Sequence, residues 1–123
     1  MYMNNLEKIK KAWAMQYSAT LKTNEDGSEF NVVFIGEGSF IAVNDSMTAE
    51  VCFENLEEYY TITGYKYGGD LAGDEPIPKG QKFRVKETGE IGKFTEPMRE
   101  GLNLEFDDYD KEFRESEIEP VFE

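Results

Sequence analysis

The spacing of hydrophobic residues changes along the chain, and each change marks an element. In residues 4–13, Leu6, Ile9 and Trp13 recur at i, i+3 and i+7, the stripe of an amphipathic helix that puts Trp13 in the core. Asn4 or Asn5 can cap its start. Lys8, Lys10 and Lys11 lie off the stripe toward the C-terminal end, where the helix dipole favours cations. From residue 16 the period falls to two. Tyr17, Ala19 and Leu21 alternate with polar neighbours, as half-buried strands do. Asn24-Glu25-Asp26-Gly27 has turn chemistry. Phe30 to Ile35 follows, so continuously apolar that it predicts a central strand covered on both faces. Gly36-Glu37-Gly38 turns into a third strand, Phe40 to Val43. Residues 45–62 fit both periods. They are read here as a strand near 48–53 and a short helix at 54–60, with Tyr59 and Tyr60 partly in the core.

Gly64, Gly68, Gly69, Gly73, Pro76 and Pro78 then crowd one stretch. It predicts a linker over 64–78 that separates an α+β half, 1–63, from a second half, 79–123. Beyond it the strands are short. Phe83 and Val85 alternate with Lys82, Arg84 and Lys86, and Glu87-Thr88-Gly89-Glu90 turns into Ile91 to Thr95. Glu100-Gly101 turns again, Leu102, Leu104 and Phe106 alternate, and Asp107 to Asp110 forms a tight acidic turn before Phe113. Ser116 to Pro120 has the look of one 3₁₀ turn leading into Val121 and Phe122. The expected fold is α+β, mostly β: an N-terminal helix plus an antiparallel sheet, then a small barrel.

Four stretches of the second half give that barrel a type. They are Lys79-Gly80 before a strand, Thr88-Gly89-Glu90-Ile91-Gly92-Lys93 in a hairpin, Leu104-Glu105-Phe106-Asp107 in a strand, and the closing Glu117-Ile118-Glu119-Pro120-Val121. With them, residues 79–123 resemble the small SH3-like barrels of the KOW and Tudor type, over about a third of the chain. The resemblance implies a module that binds nucleic acid, peptide or protein and does not catalyse. In size and composition the whole chain is similar to small phage-encoded or mobile-element proteins.

Composition narrows the chemistry. Seven Tyr, nine Phe and one Trp give 123 residues enough aromatic area for a core despite 32% charged residues, so this is not a disordered acidic chain. There is no His and one Cys, Cys52. That excludes histidine bases, Ser-His-Asp and Cys-His nucleophiles, thiolate zinc sites and internal disulfides. The glycine-rich stretch lacks the Gly-Lys-Ser/Thr of a phosphate loop. Asp108, Asp110, Glu112 and Glu119 fall at positions 1, 3, 5 and 12 of a calcium loop, but Phe113 stands where its glycine must be. No enzyme activity, cofactor or metal is expected. Four charges interrupt Leu6 to Ala14, unlike a signal-peptide core, and no run reaches the roughly 18 apolar residues of a spanning helix. A cytoplasmic protein with Cys52 reduced, away from membranes, is expected.

The net charge of −13 is uneven. Residues 1–23 hold four Lys and one Glu; residues 24–75 hold twelve acids and Lys66. Residues 76–101 hold six bases and four acids; residues 102–123 hold nine acids and two bases. Two acidic blocks thus alternate with two basic ones. Glu105, Asp107, Asp108, Asp110 and Glu112 form the leading candidate surface. Carboxylates on a rigid scaffold can imitate phosphate spacing and meet a basic, nucleic-acid-binding protein. An inhibitor of the anti-restriction or anti-CRISPR kind fits that description. Tyr65 and Tyr67 are added as interface residues, because Tyr supplies contact area at low entropic cost. The alternative is a nucleic-acid face built from Lys82, Arg84 and Lys86, all on one side of the strand, and extended by Lys93. A further alternative is a small-ligand pocket walled by Tyr65, Tyr67 and the barrel.

Overall fold

A computed structural model describes residues 4–68 and 77–122. It divides into two compact units, 1–74 and 75–123. Both are mostly β, with antiparallel sheets, and one helix stands at the N-terminus.

The first unit opens with helix α1 (Asn5–Ala14). The Asn4 side chain accepts a hydrogen bond from the Glu7 amide at 2.9 Å, which satisfies one of the free N–H groups of the first turn. Ile9 and Ala12 are fully buried, while Leu6 and Trp13 are only half-buried. The buried line is therefore turned slightly from the expected stripe, and Trp13 lies at its margin. Gln16, in the left-handed region at φ 69°, ends the helix where glycine is usual.

Strands β1 (Tyr17–Thr23), β2 (Glu29–Ile35), β3 (Ser39–Val43), β4 (Thr48–Cys52) and β5 (Tyr60–Tyr67) form one sheet, ordered β4-β3-β2-β1-β5. A 3₁₀ turn at Phe53–Asn55 and the short helix α2 (Leu56–Tyr59) join β4 to β5. Tyr17, Ala19, Leu21, Phe30, Val32, Phe40, Ala42 and Val51 are buried, the period-two set that the sequence marks. Strand β2 is central, as expected, but it is not covered on both faces. A bulge at Val33 puts consecutive apolar residues outside, leaving Val33 44% and Phe34 58% exposed. Tyr59 is 52% exposed rather than core.

The largest correction concerns the linker. Its first four residues, Gly64 to Tyr67, belong to β5, which pairs with β1 from Tyr17↔Tyr67 to Thr23↔Tyr60. A second bulge beside Gly64 shifts the register between Thr20 and Leu21, and glycine in a strand often marks such a place. The middle of the expected linker, 69–76, lies outside the described residues.

The second unit holds β6 (Lys82–Val85), β7 (Ile91–Met98), β8 (Gly101–Glu105) and β9 (Asp110–Phe113) as a meander. A 3₁₀ turn at Glu115–Glu117 leads to β10 (Ile118–Pro120), which returns to β6 through Ile118↔Val85 and Pro120↔Phe83. The 3₁₀ turn sits one residue earlier than expected, and Ile118 to Pro120 is strand. Phe83, Val85, Phe94, Leu102, Leu104, Phe113 and Ile118 are buried. The strand order is β10-β6-β7-β8-β9, with β9 and β10 at the edges and no pairing between them among the described residues. The sheet is open, not the closed barrel expected. No helix among the described residues is long and apolar enough to cross a membrane.

The tightest approach in the second unit is at Gly101, where an added Cβ would lie 1.9 Å from the Phe113 carbonyl oxygen. The obstacle is backbone, so β8 and β9 must separate to admit it. Gly101→Ala is expected to lower the denaturation midpoint by the equivalent of about 3 kcal/mol, the upper range for overpacking. Gly38→Ala, with no atom within 4 Å of the new Cβ, is expected to leave it within about 0.5 kcal/mol, as open surface substitutions do. Equal midpoints for the two variants would mean that β8 and β9 are not packed this closely.

Candidate functional site

Pairing registers decide which charges meet. In the second unit Lys82 lies opposite Lys93, Lys93 opposite Glu105, and Glu105 opposite Asp110. Residues paired across strands share a face, so these four form one transverse row on the side away from Phe83 and Leu104. A neighbouring row carries Glu96, Asn103 and Glu112. Arg84 pairs with Glu119 on β10, with its guanidinium 4.0 Å from that carboxylate. The acidic surface and the alternative basic surface are therefore two halves of one sheet face. Asp107 and Asp108 sit in the β8–β9 turn, closed by the Phe106 amide donating to the Tyr109 carbonyl at 2.7 Å.

One buried polar group stiffens the acidic half. Asn103 is only 9% exposed. Its amide nitrogen donates to Thr95 Oγ1 at 2.8 Å and to Asp110 Oδ2 at 3.2 Å. Glu112 accepts from the Glu100 amide at 3.1 Å. Both carboxylates are thereby held in register with the sheet, since losing either bond would leave a donor without its partner.

Lys86 does not join the Lys82–Arg84 stripe. It lies beyond the end of β6, its amide donates to the Glu117 carbonyl at 3.0 Å, and it lines a separate cleft. Tyr65 is 9% exposed, opposite Ala19. Tyr67 lies against Tyr17, ring centroids 5.4 Å apart, and its hydroxyl donates to Gln16 Oε1 at 3.5 Å. Both rings therefore take part in the packing of the first unit, Tyr65 buried and Tyr67 half-buried at its margin. Alternation puts them there: in a strand, residues 65 and 67 point the same way.

The cleft that Lys86 borders has a volume of about 290 Å³. Val85 and Phe113 form its apolar part, the β6–β7 turn supplies Glu87, Thr88 and Glu90, and Tyr109, Lys111 and Glu117 complete it. Two aromatic rings, Tyr109 and Phe113, line it, and Phe106 supports both from outside the lining. Tyr109 stacks on Phe106 at 4.7 Å and 15°, and Phe106 meets Phe113 edge-on at 6.0 Å. Gly92 makes room for them, since a Cβ there would lie 2.9 Å from the Phe106 ring. The Tyr109 hydroxyl donates to Glu90 Oε2 at 3.0 Å, tying the β8–β9 turn to the β6–β7 turn. Lys111 places its ammonium 5.2 Å from the centre of the Phe113 ring.

None of these aromatic residues is apparent when the acids alone are read. The available signals were Phe106, Tyr109 and Phe113 bracketing the acidic turn, and a glycine inside a strand at residue 92. Among the described residues no group of three or more His, Cys, Asp or Glu side chains is placed to hold a metal ion. The chain matches no protein-family model, no curated protein and no solved structure.

The hydrogen bond to Glu90, together with some burial and the carboxylate charge, raises the Tyr109 pKa above the usual phenol value. The neutral phenol is the form the fold favours. This contribution is present below pH 10 and is lost as pH rises through the raised value. In an NMR pH titration the ionisation midpoint of Tyr109 is expected to fall on Glu90→Ala. A midpoint that Glu90→Ala leaves in place would show that the two turns are not linked in solution.

Proposed function

We propose that this chain is a non-enzymatic acidic interaction protein that binds a basic, nucleic-acid-binding protein by presenting carboxylates in place of phosphates. The observation that carries this reading is the set of Glu105, Asp107, Asp108, Asp110 and Glu112 on the β8–β9 hairpin. All five are exposed, and among the described residues the side chains of Glu105, Asp107 and Asp108 have no hydrogen bond or ion pair. Asp110 and Glu112 are held by neutral donors, Asn103 and the Glu100 amide. A cationic partner would meet charges that no lysine of the same hairpin neutralises at close range, on a backbone already ordered, which lowers the entropic cost of association. An inhibitor of a nucleic-acid enzyme, of the kind phages use, is the biological setting this reading favours.

We also read the second unit as SH3-like. The four-strand meander, the 3₁₀ turn and the return of β10 to β6 support that reading. The nucleic-acid reading has one observation in its favour, the placement of Lys82 and Lys93 opposite one another on one sheet face, since clustered cations are what phosphates meet. Glu105 beside Lys93 and Glu119 beside Arg84 weaken it.

Affinity capture from bacterial lysate with and without nuclease separates the two. A basic protein is expected to be retained after nuclease treatment. Its affinity is expected to fall at least about tenfold between 0.1 M and 1 M salt, as the Debye length shrinks from ~10 Å to ~3 Å. Charge reversal of Glu105, Asp107 and Asp108 to Lys together is expected to abolish capture, while Glu25→Lys in the first unit leaves it. Capture that ends with nuclease treatment would overturn the reading in favour of the Lys82–Lys93 face.

A further inference from the structure

Carboxylates are common on this surface, and Glu87, Glu90 and Glu117 gain meaning only from what lies between them. They line a cleft whose apolar part is Val85 and Phe113 and whose side is the Tyr109 ring. At about 290 Å³ it falls at or below the lower end of the roughly 300–1,000 Å³ range of pockets for whole small molecules. It is the size for one side chain. A cation already rests there, the Lys111 ammonium over the Phe113 ring at 5.2 Å. That contact shows that the aromatic face accepts positive charge while carboxylates stand around it.

We propose that this cleft is a docking site for one arginine side chain of a basic partner, with Lys111 as the resident cation that the guanidinium displaces. A guanidinium fits better than an ammonium. It is planar, it stacks on aromatic faces, it is weakly hydrated, and its fork of donors can reach carboxylates on two sides. Tyr109 is the positioning residue. Its hydroxyl is bound to Glu90 and its ring is stacked on Phe106, so the carboxylate and the aromatic wall are fixed together. Lys111 has few stronger claims on its charge, since no carboxylate lies within ion-pair distance of it among the described residues. The site rests on the reading that the partner is basic. It adds a pocket, outside the five carboxylates of the β8–β9 hairpin, that would select arginine within such a partner.

The test uses the full chain, observed by amide NMR, and the tripeptide Gly-Arg-Gly capped at both ends. The same peptide with citrulline, which keeps the shape and loses the charge, is the control. The arginine peptide is expected to shift the amides of residues 86–90, 109, 111 and 113, and the citrulline peptide to leave them. Lys111→Ala vacates the ring and is expected to tighten binding roughly two- to fivefold. Lys93→Ala removes the same charge from the opposite face and is expected to change it less than twofold. Tyr109→Leu, at a half-exposed position, is expected to weaken binding by a similar two- to fivefold factor. Shifts confined to residues 105–108, or equal effects of Lys111→Ala and Lys93→Ala, would overturn the site as a mere part of the general acidic field. In that case salt-sensitive capture of a basic protein would still stand. Conversely, arginine binding in the cleft with no protein captured would retain the site and remove the charge-mimic reading.

Discussion

A β-strand must send successive side chains to opposite faces, and in the second unit that constraint places nearly every charge that matters. Phe83, Phe94 and Leu104 are buried. Their neighbours Lys82, Lys93 and Glu105 are therefore driven to the other side, and antiparallel pairing lines them up with Asp110. Burial of each large apolar side chain is worth about 1.5–3 kcal/mol. An exposed ion pair is worth about 0–1 kcal/mol. The apolar face sets the register, and the charged face follows it. A slip of one residue would bury the lysines and expose the phenylalanines.

The cleft depends on a different kind of order. Its walls come from turns, which ordinarily move more than strands do. Here one hydrogen bond, from Tyr109 to Glu90, links two turns across a gap, and Phe106 packs against both Tyr109 and Phe113. The arrangement is possible because Gly92 leaves the strand surface bare beneath Phe106. The outer acidic face and the cleft thus draw on separate supports. The former is held by the ladder and by Asn103. The latter is held by aromatic packing.

Much of the architecture is legible in the sequence. The Asn4 cap, the alternation of Tyr17, Ala19 and Leu21 and the Gly27 and Gly89 turns all follow local rules, and each is found in place. The errors share a cause. Glycine count outweighed alternation at Gly64 to Tyr67, although Tyr65 and Tyr67 stand at strand spacing and pair with Ala19 and Tyr17. Bulges at Val33 and Thr63 depend on the neighbouring strand, which no window along one segment contains. The candidate site was half legible. The acids of the β8–β9 hairpin could be named from charge alone. Their kinship with Lys82 and Lys93 required the register, and the cleft required knowing that residues 90 and 109 touch.

The turn at Asn24 carries a consequence for handling the protein. Exposed hairpin tips are ordinarily where a fluorophore, an affinity tag or a whole inserted domain can be accommodated. Asn24 removes that freedom. Its amide donates to the Tyr59 carbonyl at 2.9 Å, its side-chain nitrogen to the Glu58 carbonyl at 3.1 Å, and its side-chain oxygen accepts from Thr61 at 2.7 Å. The tip between β1 and β2 is therefore a clasp on the start of β5. Opening the chain there would unfasten an edge strand, so a graft at this loop acts on the stability of the first unit rather than decorating its surface.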